Sequence, residues 1–492
     1  MSTTVASVAT PPPPPATSSA DWMKSARGRV DDFKRLQELG LISLGGDFFP
    51  SVHYPPITMY PRMQQEELFK TYTLPGDGLI DVYAHLPFCA RRCIFCHYPV
   101  KLGEQYEEKE RYLAAFEKEM DIYLRVLGLE KFRPRTILVG GGTPSYLTPE
   151  QLKRYLEYFC RRMDLSKCRQ FNYDVDPNTL CGPEGLERLK IMRDYGVNRL
   201  TIGVQSFNNH VLKLMNRHHD SHLALESIRN CQDFGYKVNI EFIFGFMGQT
   251  IENWLEVMQQ AVETGVEEIQ LYRLKVEAYG DHQGVVKQVK KARADAVPTT
   301  EEGLMMKQLA IELLRANGYH ENLRRVFSKK KPDFSLYAHN QCCELYDQIG
   351  LGLTAFSSMR DRFGLNTQSF EEYYELIDAG RLPLNRGYVR TDGTGEEQIR
   401  WAIILPLKNR EVRKKRFWER TGASINTVFR PKIERLKAHG LAQEDDRFLE
   451  LTPLGGFFAD ECCHQFVSNQ FMAFPRSTYT NGPLNPYADN EL

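Results

Sequence analysis

Short apolar, β-branched or aromatic runs alternate with longer amphipathic stretches from about residue 79 of the chain. The runs Leu79–Leu86, Thr136–Gly140, Gln170–Val175, Arg199–Val204, Lys237–Phe244 and Glu268–Leu274 read as strands. The stretches Glu108–Val126, Pro149–Arg162, Pro183–Tyr195, Ser221–Phe234 and Thr250–Thr264 read as helices. Gly196, Gly235 and Gly265 follow three of them, as a helix C-terminal stop requires. Strand–helix alternation at this spacing predicts βαβ units and a parallel sheet. Six repeats suit an open sheet or a partial barrel. In either, function is expected beyond the C-terminal ends of the strands.

The flanks follow other patterns. Residues 1–20 are rich in Pro, Ser and Thr and are predicted to be disordered. Residues 21–75 read as an arm, with a helix over Asp31–Leu39 and an irregular Pro-rich stretch at Tyr54–Arg62. The core is expected over 76–300, with a basic linker or helix at 285–297 that has a solvated face. An extension with a helix at Thr300–Asn317 follows over 301–390. Residues 391–470 read as a separate C-terminal domain. In it, Ile425–His439 is an amphipathic helix stopped by Gly440, and Leu441–Thr452 is a hairpin turning at Asp445–Asp446. Helices followed by such a hairpin resemble a winged helix, and this domain is expected to cover the barrel's mouth. Residues 471–492 form an irregular aromatic tail.

Charge excludes some partners. Lys plus Arg and Asp plus Glu number 63 each, so no global field draws the chain to nucleic acid or an anionic membrane. No apolar stretch approaches the roughly 20 residues of a membrane-spanning helix. The N-terminus has a proline run in place of a signal peptide's apolar core, so a cytoplasmic location is expected. Eleven cysteines are spread thinly along the 492 residues, and metal binding or plain burial is expected of them. Cys160, Cys168, Cys181 and Cys231, and the pairs Cys342–Cys343 and Cys462–Cys463, read as small core residues.

Cys89, Cys93 and Cys96 differ. In YAHLPFCARRCIFCHY (83–98) they follow the first strand at C-x3-C-x2-C spacing. Three thiolates from one loop can hold three irons of a [4Fe–4S] cubane and leave the fourth open. A structural zinc site would need a fourth ligand, for which the adjacent His97 is awkwardly placed. A redox C-x2-C pair would leave Cys89 unexplained.

With VGGGTPSYL (139–147), DVDPNT (174–179), GVQSFNNHVLKLMNR (203–217) and NIEFIFGFMGQT (239–250), this stretch resembles the radical S-adenosylmethionine (SAM) superfamily. The specific likeness is to its oxygen-independent coproporphyrinogen III oxidase family, and it extends over roughly residues 79–470. The resemblance implies a partial (β/α)6 barrel, a cluster on the three cysteines, and two SAM molecules. It implies SAM contacts from Tyr83, Phe95, Gly141, Gly142, Thr143, Gln205 and Arg217. Asp174 and Glu241 stand where the family has Glu and Asp. Arg273 and Phe356 match two further contacts on looser alignment. Asp176 can accept ribose hydroxyls or an ammonium, or simply close a strand-end turn. Arg217 suits a carboxylate bidentately, or ends a helix at the surface. Tyr83, His218 and His219 are candidate catalytic groups, the two histidines as proton carriers or as a surface pair.

The resemblance also divides by activity. The family's oxidases carry a further Cys two residues after the third, and GVQDF; here stand Tyr98 and GVQSF. With Gln205 and Arg217 retained, the expectation is a branch that moves a methyl or methylene unit from a second SAM to an sp2 carbon of a conjugated, aromatic small molecule. The alternatives are a coproporphyrinogen oxidase-type dehydrogenase and a non-catalytic heme chaperone. A flavodoxin or ferredoxin is the expected electron donor.

Overall fold

The computed structural model describes residues 19–44, 53–103, 105–274, 293, 296–330 and 333–488. The expected disordered tail falls almost wholly outside these residues, as does most of the basic 285–297 run.

Six parallel strands form the centre: β1 (Ile80–Leu86), β2 (Pro134–Gly141), β3 (Gln170–Val175), β4 (Arg199–Gln205), β5 (Lys237–Phe244) and β6 (Glu268–Arg273). They pair in sequence order, all parallel. Three of the helices between them begin at a side-chain cap. Thr148 and Thr250 close capping boxes on Pro149–Arg161 and Ile251–Glu263, and Asp220 caps Ser221–Asp233. This is the α/β partial barrel expected.

The 301–390 region builds both edges of the sheet. On the β6 side, β7 (His320–Leu323) and β8 (Val326–Ser328) add antiparallel. On the β1 side, β9 (Gln348–Leu351) adds parallel, followed by β10 (Phe356–Met359), β11 (Arg362–Asn366) and β12 (Leu384–Val389) antiparallel. The result is one sheet of twelve strands among the described residues.

The N-terminal helix α1 is longer than the pattern predicts, running Ser19–Glu38. It packs on α2 (Thr300–Ala316), with Ser25 donating to Glu312 at 2.9 Å and Arg29 Nε to Gln308 at 3.1 Å. The tail folds back onto this arm, Leu44 N donating to Thr478 O at 2.8 Å and Leu484 N to Leu39 O at 2.9 Å.

The C-terminal domain holds a three-stranded antiparallel sheet of Glu411–Arg413, Phe448–Leu451 and Ala442–Glu444. The helix predicted over Ile425–His439 is two, Ile425–Val428 and Arg430–Ala438. Pro431 is the reason: it lacks an N–H and disfavours a helical residue before it, so the second helix starts there. The domain does not sit over the mouth as expected. Arg413 Nη1 pairs with Glu344 at 2.7 Å, and Arg420 Nη2 donates to Leu345 O at 2.6 Å. The segment carrying Glu344 also meets the barrel floor, where Asn340 Nδ2 donates to Asp81 at 3.0 Å, at the start of β1. The domain is therefore docked at the N-terminal ends of the strands, leaving the opposite end to the chemistry.

Candidate functional site

The three cysteines lie in a loop fastened at both ends. Phe88–Cys89 pairs with Lys101–Leu102, Lys101 N donates to Pro87 O at 2.8 Å, and Gly103 N donates to Cys89 O at 3.0 Å. A turn brings Cys96 N to Cys93 O at 3.1 Å. The loop is tied to the segment after β4: Ile94 N donates to Met215 O at 3.2 Å, and Asn216 Nδ2 to Arg92 O at 2.7 Å. Ile94 and Phe95 pack onto Val211, Met215 and Phe246, with Phe95 edge-on to Phe246 at 6.4 Å.

Gly141, Gly142 and Thr143 run against this loop. Gly142 N donates to Leu86 O at 2.9 Å, and Thr143 N to Phe88 O at 2.7 Å. A Cβ on Gly142 would fall 2.7 Å from Phe88 O and 3.0 Å from the Cys89 sulfur. Gly141 has φ +115°, and its Cβ would fall 2.8 Å from the His85 ring. The glycines thus hold β2 tight to the cysteine loop.

Arg217 joins the loop to β3. Nη1 lies 3.1 Å from the Cys93 sulfur, while Nη2 donates to Asp176 Oδ2 and Gly203 O, each at 2.6 Å. The two side chains are 9% and 7% exposed, which makes Asp176 the buried counterion of Arg217 rather than a bare turn residue. Burial alone would raise the Asp176 carboxyl. Arg217, with His219 and His218, holds it below the usual carboxylate range.

The barrel interior carries two polar tiers because alternate residues of each strand face inward. In the lower tier Arg199 pairs with Glu268 at 2.5 Å and donates to Asn172 and Thr201. In the upper tier Tyr272 Oη donates to Glu241 at 3.2 Å, Asn172 Nδ2 to Asp174 at 3.0 Å, and Tyr83 Oη lies 3.0 Å from His85 Nδ1. Burial raises Asp174 to about 7, and burial with Asp174 as neighbour raises Glu241 to about 8. Phe356 stacks beside Tyr83 at 6.3 Å.

Gln205 ends β4 in a left-handed conformation, φ +68°, where the pairing with β5 slips. Its Oε1 is buried without a partner. A non-glycine residue held there with an orphaned amide marks a functional position. Arg217 Nε, on the side chain that reaches Cys93, is likewise buried and unpartnered, as is Asn239 Oδ1 down in the lower tier. Polar atoms left open beside three thiols, over a glycine floor, fit a cluster with a polar ligand against it. Among the described residues no three His, Cys, Asp or Glu side chains converge on one ion. A cubane does not require that, because each thiolate binds a different iron.

Two predicted site residues lie elsewhere. Arg273 shares the outer face of β6 with Ile269 and Leu271, because Gln270 and Tyr272 take the inner one, and it stacks near Gly303 of α2. Its alternation on the strand removes it from the barrel. Substituting Arg273→Met is expected to leave 5′-deoxyadenosine formation from SAM at the wild-type rate, measured by chromatography. His219 is buried, its Nε2 3.1 Å from Val204 O, and burial lowers it to about 4. It packs against β4 as a buried side chain rather than a surface group. His218 remains half-exposed, 3.6 Å from Asp176, with burial lowering its pKa. Sequence reasoning passed over His85 and Tyr272. Each stands two residues along a strand from, or hydrogen-bonded to, a residue it did single out.

Glu241 makes a pH-dependent contribution. Its folded pKa lies above the unfolded value of about 4.3. The stability it contributes is therefore present below that value and lost as pH rises through about 8. A Glu241→Gln protein is expected to show a flatter thermal midpoint between pH 5 and 8.5 than wild type (calorimetry).

A radical SAM superfamily model matches residues 83–261, and a HemN C-terminal domain model matches 394–458. The chain is 27% identical to a heme chaperone HemW of Bacillus subtilis, over 78% of this chain and 98% of that one. It is 25% identical to an oxygen-independent coproporphyrinogen III oxidase of Helicobacter pylori, over 84% and 92%. The solved coproporphyrinogen III oxidase (HemN) of Escherichia coli matches with TM-score 0.68 at 23% identity, over 81% and 92%. These relatives overturn the expected methyl or methylene transfer: over four-fifths of the chain they are porphyrinogen oxidases and heme chaperones. Retained polar positions at β4 and β5 do not discriminate between branches that share one barrel. No described helix is long and apolar enough to cross a membrane. The chain thus joins a segment similar to the radical SAM superfamily, whose cofactors are a [4Fe–4S] cluster and S-adenosylmethionine, to a segment similar to the HemN C-terminal domain.

Proposed function

We propose that the chain is a radical SAM enzyme acting on a tetrapyrrole, with a reaction of the oxygen-independent coproporphyrinogen III oxidase type. The observation that carries this reading is a row of rings leading away from the cysteine loop. Tyr83 stacks by Phe356 at 6.3 Å, Phe356 on Phe363 at 5.2 Å, Phe363 meets Tyr60 at 4.9 Å, and Tyr60 stacks on Tyr388 at 5.7 Å. Tyr60 and Phe363 are buried and back the row, while the partly exposed Tyr83, Phe356 and Tyr388 offer ring faces that suit a flat, conjugated molecule. At its outer end the backbones of Arg62 and Arg386 bridge, and their guanidinium groups, respectively 3.9 Å from Glu372 and donating to Tyr60 O at 3.0 Å, are the nearest cations for carboxylate side chains.

Cys89, Cys93 and Cys96 hold the cluster in this reading, and Gln205, Arg217 and Glu241 border two SAM molecules. When bound, the cluster and SAM supply a 5′-deoxyadenosyl radical that removes hydrogen from an unactivated carbon. The chain's own part is positional. Arg217 fixes the cysteine loop against Asp176, the glycines close β2 onto it, and the rings orient the substrate edge. A flavodoxin or ferredoxin is the proposed reductant and the cytoplasm the proposed location.

A second reading, stoichiometric heme binding without turnover, is favoured by Tyr98 and Ser206. They stand where the oxidases carry Cys and Asp, and Tyr98 is exposed and stacked on His97 at 5.6 Å. The test is anaerobic incubation of the reconstituted protein with coproporphyrinogen III, SAM and dithionite. The oxidase reading expects 5′-deoxyadenosine together with decarboxylated porphyrinogen. Heme uptake at one per chain with neither product overturns it in favour of the second.

A further inference from the structure

Behind the outer face of β5 and β6 lies a cavity of about 490 Å3 that takes no part in the barrel chemistry. It is enclosed by α1, α2, the folded-back tail and residues 456–461 of the C-terminal domain. Its volume is within the range of small-molecule sites, about 300–1,000 Å3. Most of its wall is apolar, formed by Phe33, Leu304, Phe327 and Phe457 among others.

Its polar groups are unevenly satisfied. Arg324 Nε and the Tyr479 hydroxyl are buried without a partner. Buried donors ordinarily have one. The neighbouring acids are already engaged. Glu321 accepts from Arg324 Nη1 at 3.0 Å and from Arg325 N at 2.9 Å, Asp460 from Lys408 at 2.8 Å, and Glu301 from Lys34 at 2.9 Å. Burial, with Asp460 beside it, raises Glu461 to about 7, and the charges of Lys307 and Arg273 stand against it. Lys307 sits 4.3 Å over the Phe457 ring and donates to Phe457 O at 2.6 Å. Gly456 is needed here, because a Cβ would overlap the Arg324 guanidinium lying across its backbone. Unpaired donors, spent acids and an apolar wall together select an anion with an apolar body.

We propose that this cavity binds a small amphipathic monoanion, an alkyl or aryl carboxylate. Its acid group pairs with Arg324, with the Tyr479 hydroxyl as the second free donor, and its apolar body lies against Phe33, Leu304 and Phe327.

The test titrates reconstituted full-length protein with 8-anilinonaphthalene-1-sulfonate in saturating SAM, then displaces the dye with decanoate or decanol. One saturable site per chain is expected, displaced by decanoate about tenfold more effectively than by decanol, as one charge-assisted pair implies. Tyr479→Phe is expected to weaken decanoate about fivefold, the size of one net hydrogen bond. Its thermal midpoint and 5′-deoxyadenosine formation stay unchanged, since that hydroxyl has no partner to lose. Leu304→Trp, which fills the cavity, is expected to abolish the site. The proposal is overturned by an absence of saturable binding, by equal displacement by acid and alcohol, or by undiminished decanoate affinity in both Tyr479→Phe and Arg324→Met.

Discussion

A Cys93→Ala protein reconstituted with iron and sulfide is expected to lack the broad visible absorbance of a [4Fe–4S] cluster and to form no 5′-deoxyadenosine. The cluster needs three thiolates from one loop, and with two it has no third anchor. Apart from the contact of the Cys93 sulfur with Arg217 Nη1 at 3.1 Å, the loop is held through its backbone. Its ends are fastened by Lys101 N to Pro87 O and Gly103 N to Cys89 O, and its middle by Asn216 to Arg92 O. The apo protein is therefore expected to melt as wild type does, which separates lost chemistry from lost folding. A Cys168→Ala control, whose sulfur faces Gln170 O at 3.6 Å away from the loop, keeps both signals. Turnover retained in Cys93→Ala would sink the cluster assignment.

The six core strands were legible because each is a short apolar run, and three of the intervening helices start at a side-chain cap, Thr148, Asp220 or Thr250. The cysteine loop was legible because its ligands are local in the chain. What escaped was non-local. β9 to β12 are short strands, three of them antiparallel, and they acquire their identity only by pairing at the sheet's edge. The aromatic row joins Tyr60, Tyr83, Phe356, Phe363 and Tyr388, which nothing in the sequence links. The C-terminal domain's seat depends on three arginines meeting one turn at Glu344 and Leu345, on the floor instead of the mouth. Arg273 is a different case. The alternation in Glu268–Arg273 already put it on the same face as Ile269 and Leu271, opposite Tyr272. A family match on loose alignment outweighed that period-two argument, and the strand geometry corrects it.

Arg217→Met is expected to be the most destabilising single change at the site, by about 3–5 kcal/mol, the usual effect of removing one partner of a buried ion pair. The sign of its pH dependence follows from Asp176. In wild type the carboxyl is held low, so its contribution is present above the unfolded value of about 3.9 and is lost as pH falls through the folded one. Without Arg217 burial is opposed only by His219, His218 and the Asn178 hydrogen bonds, and the carboxyl rises. The variant's deficit in thermal midpoint is then expected to be large at pH 7.5 and to close only as the pH falls below the usual carboxylate range, where Asp176 is protonated in both proteins. Asp176→Asn tests the other half: Arg217 keeps Gly203 O and the Cys93 sulfur, at 2.6 and 3.1 Å, and loses only its counterion. The double variant Arg217→Met, Asp176→Leu removes both charges and is expected to recover most of the stability but none of the turnover. Recovery of stability without activity would show that nature keeps this pair for the loop that carries Cys93 and not for the strength of the fold. A deficit in Arg217→Met that is independent of pH would remove Asp176 from the account.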